Sequence, residues 1–253
     1  MAAPAPITIL PVEGLPEVRP GEELPRLLAD ALALHGPVPQ TGDVLVVAQK
    51  VVSKAEGARV ALASVEPTPF ALRWAKEWDR DPRVVELVLR ESRRIVRMER
   101  GLIIAETRHG FVCANAGIDL SNSGEKDWAV LLPEDCDRSA AEIRAGLRRR
   151  FGQEVAVIVA DSFGRPWRAG LTQVALGVAG LAPLIDLRGR PDGDGRPLHV
   201  TVIAVADELA AAADLVCGKI SRVPAAIERC YPFEPGEGGG QEIVRPSELD
   251  LFR

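Results

Sequence analysis

VAVIVADSFGRPWRAG, residues 155–170, opens as an apolar run and breaks at Asp161 into a carboxylate, a hydroxyl, two glycines, a proline and two arginines. The run reads as a buried strand. A fold needs a turn after such a strand, but it does not need that chemistry. The stretch therefore sets two expectations: a core strand, and a polar end that acts on something.

Outward from this strand, Ile7 to Val12 reads as a first strand and Glu22 to Leu34 has helical spacing, with Leu24, Leu27, Leu28, Ala31 and Leu32 on one face. Val44 to Ala48 reads as a buried strand running into a polar segment that ends in Lys54, Glu56 and Gly57. Helical patterns cover Phe70 to Trp78 and Pro82 to Met98, Pro82 suiting a first helical turn. GLIIAET, FVCANAG and WAVLLP are β-like, and LLPEDCDRSAAEIRAGLRRRFG reads as a helix stopped by Gly152. After the opening strand come an Ala/Gly-rich segment (Val174 to Leu181), a strand LHVTVIAV, a helix ADELAAAADLVCGK, a strand PAAIERC and a flexible turn at GEGGG. Strands and helices mix without a regular βαβα rhythm. That favours an α+β class, with mixed or antiparallel sheets and flanking helices.

The chain has 253 residues, 47% hydrophobic and 26% charged, enough for one large domain or two intimate ones. Net charge is -5, and the densest basic run, Arg148 to Arg150, closes a helix where cations complement the dipole. No nucleic-acid partner is expected. Cys113, Cys136, Cys217 and Cys230 form no CxxC pair, which argues against a zinc site or redox dithiol and for reduced thiols in a cytoplasm. The start lacks a basic, signal-length apolar segment, and no apolar stretch reaches the roughly 18 residues of a membrane span. A soluble cytoplasmic protein is expected.

Two acidic clusters carry the candidate chemistry. One is CANAGIDLSNSGEK, with Asp119 and Asn122; the other holds Asp161 and Ser162. Taken singly, each residue suits a turn or cap, because its side chain bonds nearby backbone N–H groups. Taken together they offer hard oxygen ligands for Mg²⁺ or Mn²⁺ sharing a shell with phosphate. Gly164 and Gly170 bracket Arg165 and Arg168, whose planar forks can grip phosphate or carboxylate; the plain alternative is a surface loop paired with some of the 36 acidic side chains. Lys54 could meet phosphates or stay solvated. His109 is the one histidine near an acidic cluster. No P-loop, GxGxxG, HExxH or GxSxG occurs. The residues alone point to a metal-dependent, phosphate-handling enzyme without a P-loop, and name no substrate.

PVEGLPEVRPG, GDVLVVAQKVVSKAEG, ETRHGFVCANAGIDLSN, LLPEDCDRSAAEIRAGL, DSFGRPWRAG and VADELAAAADLVCGK resemble the coenzyme F420-0:γ-glutamyl ligases, in the family's order and across nearly the whole chain. The resemblance implies a single domain over residues 1–253, an intertwined homodimer, and GTP-dependent joining of L-glutamate to the terminal carboxylate of F420-0 through an acyl phosphate. Further γ-linked glutamates would follow. It implies Mg²⁺ or Mn²⁺ at two sites, allows a monovalent cation, and makes GTP a co-substrate. By the same resemblance Asp119, Asp161 and Ser162 are metal ligands, with Asp119 and Asp161 also catalytic. Leu15, Pro16, Glu17, Val18, Lys54 and Asn122 meet the nucleotide. Arg165 and Arg168 extend this set as candidate catalytic grips on phosphate or carboxylate.

The chain departs from the family's pattern around this set. Ala48 and Gln49 stand where some members have Ser or Thr, Val202 and Ile203 lie where a glutamate usually precedes VADE, and Gln173 replaces an Asp. These changes keep two competing readings in play: a paralogue with another carboxylate acceptor, and a non-catalytic nucleotide-binding relative.

Overall fold

The computed structural model of the protein describes residues 5–120 and 127–251. Among these the chain runs β1 (Thr8–Pro11), α1 (Leu24–Leu34), β2 (Val44–Ala48), α2 (Gln49–Glu56), β3 (Arg59–Ala61), α3 (Pro69–Trp78) and α4 (Pro82–Glu91). Next come β4 (Ser92–Glu99), β5 (Leu102–Thr107), β6 (Val112–Ala114), β7 (Trp128–Val130) and α5 (Cys136–Phe151). The last third holds β8 (Ala156–Arg165), β9 (Arg168–Ala179), β10 (Ile185–Asp186), β11 (Val202–Ile203), α6 (Val205–Cys217) and β12 (Ala225–Arg229).

The main sheet has the order β1-β12-β2-β8-β9, with β2 and β8 parallel and the other neighbours antiparallel. Side chains alternate across it. Leu45, Val47, Val157, Val159 and Ile227 pack with α1, α2 and α5 on one face. Val44, Val46, Ile158, Ala160 and Ala226 pack with α6 on the other. Both faces being covered explains why 155–160 is apolar without a polar alternate. The mixed α+β class stands. The small sheets β4-β5-β6 and β3-β7 lie beside α3 and α4 with their own apolar clusters.

Two carboxylates pin β9 from opposite sides. Between Val159 and Ala160 the β8–β9 register slips, leaving Leu176 as the extra residue of a bulge. Asp207, in the first turn of α6, accepts from the Ala175 N–H at 2.8 Å; Asp137, in the first turn of α5, accepts from Val178 at 2.8 Å and from Gly240 at 2.7 Å. Asp207 is thus a bulge clamp, and burial pushes its carboxyl pKa up. A third carboxylate orders the strands: Asp43, buried before β2, takes both Nε and Nη2 of Arg229 at the end of β12, at 3.0 and 2.8 Å.

Several expected elements differ. The polar segment after β2 is helix α2, so Lys54 lies in its last turn rather than at a strand end. The helix expected through Met98 stops at Glu91, where Ser92 turns extended and its hydroxyl bonds the Val88 carbonyl; 92–99 then pairs with β5. The Ala/Gly-rich segment is strand β9, and only Val202–Ile203 of LHVTVIAV is strand, against Ile185–Asp186. GEGGG is no loose turn. A Cβ on Gly240 would lie 2.3 Å from the Leu176 carbonyl oxygen, so glycine is required for the close approach. Gly152 stops α5 as expected, at φ 66°.

Candidate active site

The opening stretch does not break as a strand. β8 continues through Asp161 to Arg165 and returns as β9, with Arg165 opposite Arg168 beside the turn at Pro166–Trp167. What changes at Asp161 is the surroundings, as the strand passes out of the helical layers. Alternation then sends neighbouring side chains to opposite faces. Asp161 turns to the α2 and α5 side, and Ser162 to the α6 side, where it meets Gln173 and Asp214.

Around Asp161, charged groups from distant parts of the chain act on one another. Asp119 is held beside β7 by a two-way backbone bridge to Val130. Lys50, in the first turn of α2, reaches it with Nζ 2.6 Å from Oδ2. Burial pushes the Asp161 pKa up to about 6; the Ser162 backbone N–H and the Lys219 ammonium pull it back, Asp119 raises it again, and Lys50 opposes that. Asp119 and Asp161, 42 positions apart, therefore lie within electrostatic reach of each other, with Lys50 paired to Asp119 and both Lys50 and Lys219 acting on Asp161. Cys113 and Cys136 sit close by, their thiols pushed up to about 12 mainly by burial, then by Asp161 for Cys113 and by Asp137, Glu56, Asp135 and Asp161 for Cys136. They are inert as nucleophiles at neutral pH.

The predicted nucleotide stretch and Lys54 also come together. Lys54 is buried, only 6% exposed, and its Nζ lies 2.5 Å from the exposed carboxylate of Glu17. Leu15 is half-buried against the core and Val18 is fully part of it; Pro16 and Glu17 are exposed. Lys50 and Lys54 are four residues apart on one helix and so project from neighbouring turns of the same face. Helix α2 thus links the Glu17 loop to the Asp119 carboxylate. Gln49 points inward, where its side-chain carbonyl accepts from the Ser53 hydroxyl at 2.7 Å.

Other expected residues fall elsewhere. Asn122 lies outside the described residues. Arg165 and Arg168 are exposed at the hairpin tip, four strand residues or roughly 13 Å beyond Asp161. His109 stacks on Phe111 with ring centroids 5.8 Å apart, and its Nε2 lies 3.1 Å from the Glu134 carbonyl oxygen, a packing position. Lys50 and Lys219 were missed by sequence reading. The i,i+4 spacing in QKVVSK was the available signal for Lys50, once that segment is seen as a helix.

Asp119 raises the proton affinity of Asp161, and the two carboxylates together offer anionic oxygens at one locus. Hard oxygen donors of this kind suit Mg²⁺ or Mn²⁺. Among the described residues no three His, Cys, Asp or Glu side chains gather as a ready ligand cage, so a cation here would keep water or substrate oxygens in its shell. The described residues also contain no helix long and apolar enough to cross a membrane.

A family model described as F420-0:Gamma-glutamyl ligase matches residues 14–229. The chain belongs to that ligase family. It is similar to the protein named coenzyme F420:L-glutamate ligase of Methanothermobacter thermautotrophicus, 47% identical over 98% of this chain and 99% of that one. The like-named protein of Methanopyrus kandleri is 44% identical over 98% of both, and that of Methanocaldococcus jannaschii 39% identical over 94% of both. Both site strands, α2, α5 and α6 fall inside the ligase match, and so do Glu17, Lys54, Asp119, Asp161 and Lys219.

Proposed function

We propose that this chain is a GTP-dependent ligase that joins L-glutamate to the terminal carboxylate of coenzyme F420-0 and extends it by γ-linkage. The observation that carries the reading is the convergence of Asp119 and Asp161, with Lys50 and Lys219 around them, next to the Lys54–Glu17 pair. The names of relatives aligned over nearly the whole chain support the substrate pair.

The chemistry explains why such a site is needed. An amine does not displace oxide from an ionised carboxylate. In the proposed sequence a carboxylate oxygen of the acceptor bonds to the γ-phosphorus of GTP, and the bond to the β-bridging oxygen breaks to release GDP. The amine of L-glutamate then bonds to the acyl carbon, phosphate departs with the C–O electron pair, and the amine loses a proton. Mg²⁺ or Mn²⁺, when bound, would offset charge on the triphosphate and the acceptor. Asp119 and Asp161 would hold it, one or two ions being compatible with the proposal. Lys54 would pair with phosphate oxygens in place of Glu17, and Lys219 would balance charge beside Asp161.

A homodimer is part of the same proposal. The β8–β9 hairpin stands clear of the layers with Trp167 82% and Leu171 61% exposed, a sizeable apolar area for one chain to leave in water. Its exchange between copies would bring Arg165 and Arg168 to a neighbouring protomer.

The test is an assay with F420-0, L-glutamate, GTP and Mn²⁺, read as γ-glutamyl product by mass spectrometry. Product is expected from the unaltered chain and none from Asp161→Asn. Phosphate release without γ-glutamyl product would assign a different acceptor, and no metal-dependent GTP binding would sink the ligase reading.

A further inference from the structure

Ser162 sits beside Asp161 in sequence, yet its hydroxyl belongs to a different network. Gln173, on β9 directly opposite Ser162, places Nε2 3.3 Å from Ser162 Oγ and 3.3 Å from Asp214 Oδ1 on α6. The amide has two N–H groups, one for each acceptor. Its orientation is fixed by Asp214: exchanging the amide atoms would set the Gln173 carbonyl oxygen against the carboxylate, oxygen facing oxygen at 3.3 Å. Gln173 Oε1 is buried without a hydrogen-bond partner among the described residues, so the orientation is not chosen for its own satisfaction.

This fixes the polarity of Ser162. One lone pair of its oxygen accepts from Gln173, and among the described residues its own O–H finds no acceptor. A hydroxyl that accepts a hydrogen bond becomes a better donor and a weaker electron-pair ligand, because the N–H dipole draws density from the oxygen. A cation-binding hydroxyl wants the reverse: its proton given to an acceptor so that the oxygen is more basic. The strand geometry agrees, since Ser162 leaves β8 on the face opposite Asp161.

We propose that Ser162 is a hydrogen-bond donor to an anionic oxygen of a bound substrate rather than a metal ligand, with Gln173, anchored on Asp214, as the positioning residue that sets this role. The inference rests on the ligase reading and narrows it. The anionic oxygen belongs either to the nucleotide's phosphates or to a substrate carboxylate.

The test measures three affinities for the unaltered chain, Ser162→Ala, Ser162→Thr and Gln173→Glu: Mn²⁺ alone by electron paramagnetic resonance, and inorganic pyrophosphate and L-glutamate by calorimetry in chelator. Ser162→Ala is expected to lose roughly tenfold or more for one of the two anions, as for a hydrogen bond to a charged group, which also names the source. Mn²⁺ affinity should stay unchanged, and Ser162→Thr should restore the anion. In Gln173→Glu the new carboxylate accepts the Ser162 proton, so anion binding falls while Mn²⁺ binding tightens. Circular dichroism checks the fold of each variant, and the Ser162 pair decides the matter if Gln173→Glu is unfolded. A fall in Mn²⁺ affinity in Ser162→Ala with both anions unaffected overturns the proposal, as does failure of both anions to bind the unaltered chain. If the unaltered chain binds Mn²⁺ and GTP, only the Ser162 inference has failed; if it binds neither, the ligase reading fails with it.

Discussion

Lys50 holds its ammonium 2.6 Å from the Asp119 carboxylate. The pair is mostly buried, its side chains 21% and 27% exposed, and the lysine contributes positive charge where the proposed cation would sit. Lys50→Met is therefore expected to tighten Mn²⁺ binding by about twofold to fivefold, the worth of a partly exposed ion pair. Titration of free Mn²⁺ by electron paramagnetic resonance reads this directly, with Asp119→Asn as the variant that should lose binding. Unchanged Mn²⁺ affinity in Lys50→Met would mean that the lysine and the cation do not compete.

Lys54 is the more buried of the two α2 lysines, and its partner Glu17 is exposed. An exposed glutamate costs little to displace, whereas the lysine has nowhere else to put its charge. Lys54→Met should weaken GTP by roughly tenfold to a hundredfold, and Glu17→Gln should leave affinity equal or higher. Calorimetry on both variants separates a phosphate-binding lysine from a structural ion pair, for which both substitutions would act alike.

Glu228 on β12 is fully buried, and neither carboxylate oxygen has a hydrogen-bond partner among the described residues. Burial pushes its pKa up to about 8 from the ordinary 4.5. The folded state then holds a proton that the unfolded state gives up, so stability falls as pH rises from 4.5 to 8 and levels off above. Glu228→Gln should remove most of that slope. Thermal unfolding of both proteins at pH 5 and pH 8 should show the variant gaining on the parent at the higher pH, by about 2–4 °C per kcal/mol. A parallel pH dependence in the two would refute this account of Glu228.

Asp207 accepts from the Ala175 N–H at the β9 bulge. Asp207→Ala leaves a buried N–H unpaired and should cost about 1–3 kcal/mol by urea unfolding. Asp207→Asn keeps an acceptor and should recover most of it. Mn²⁺ binding should be untouched by either change.

The sequence made the core of the site legible where one local pattern had one meaning. The apolar run before Asp161 could only be a covered strand, and Asp119 and Asp161 were the carboxylates next to such runs. It failed where the same residues serve two structures. The stretch after Ala48 read only as a polar segment, but Gln49 to Glu56 form a helix packed on the sheet, which turns Lys50 and Lys54 into a pair. Ile95 and Val96 fitted a helical stripe until Ser92 ended the helix and the alternation paired with β5. The opposite facing of Asp161 and Ser162 follows from strand continuation, which glycine, proline and charge in 164–168 disguised. Lys219 could not be found from local pattern at all, because its place beside Asp161 depends on where α6 docks.

The position of β12 has a consequence for how the chain is made. Its five residues, 225–229, lie between β1 and β2, so these two strands, which are made before it, are not neighbours and cannot zip together. Their shared edges wait for a strand that follows α2 to α6 and β3 to β11 in the chain, and Arg229 must then reach back to Asp43. Contacts of such long sequence separation form slowly. Until β12 has emerged, the nascent chain carries unpaired strand edges, and it is over that interval that it depends on protection from its neighbours.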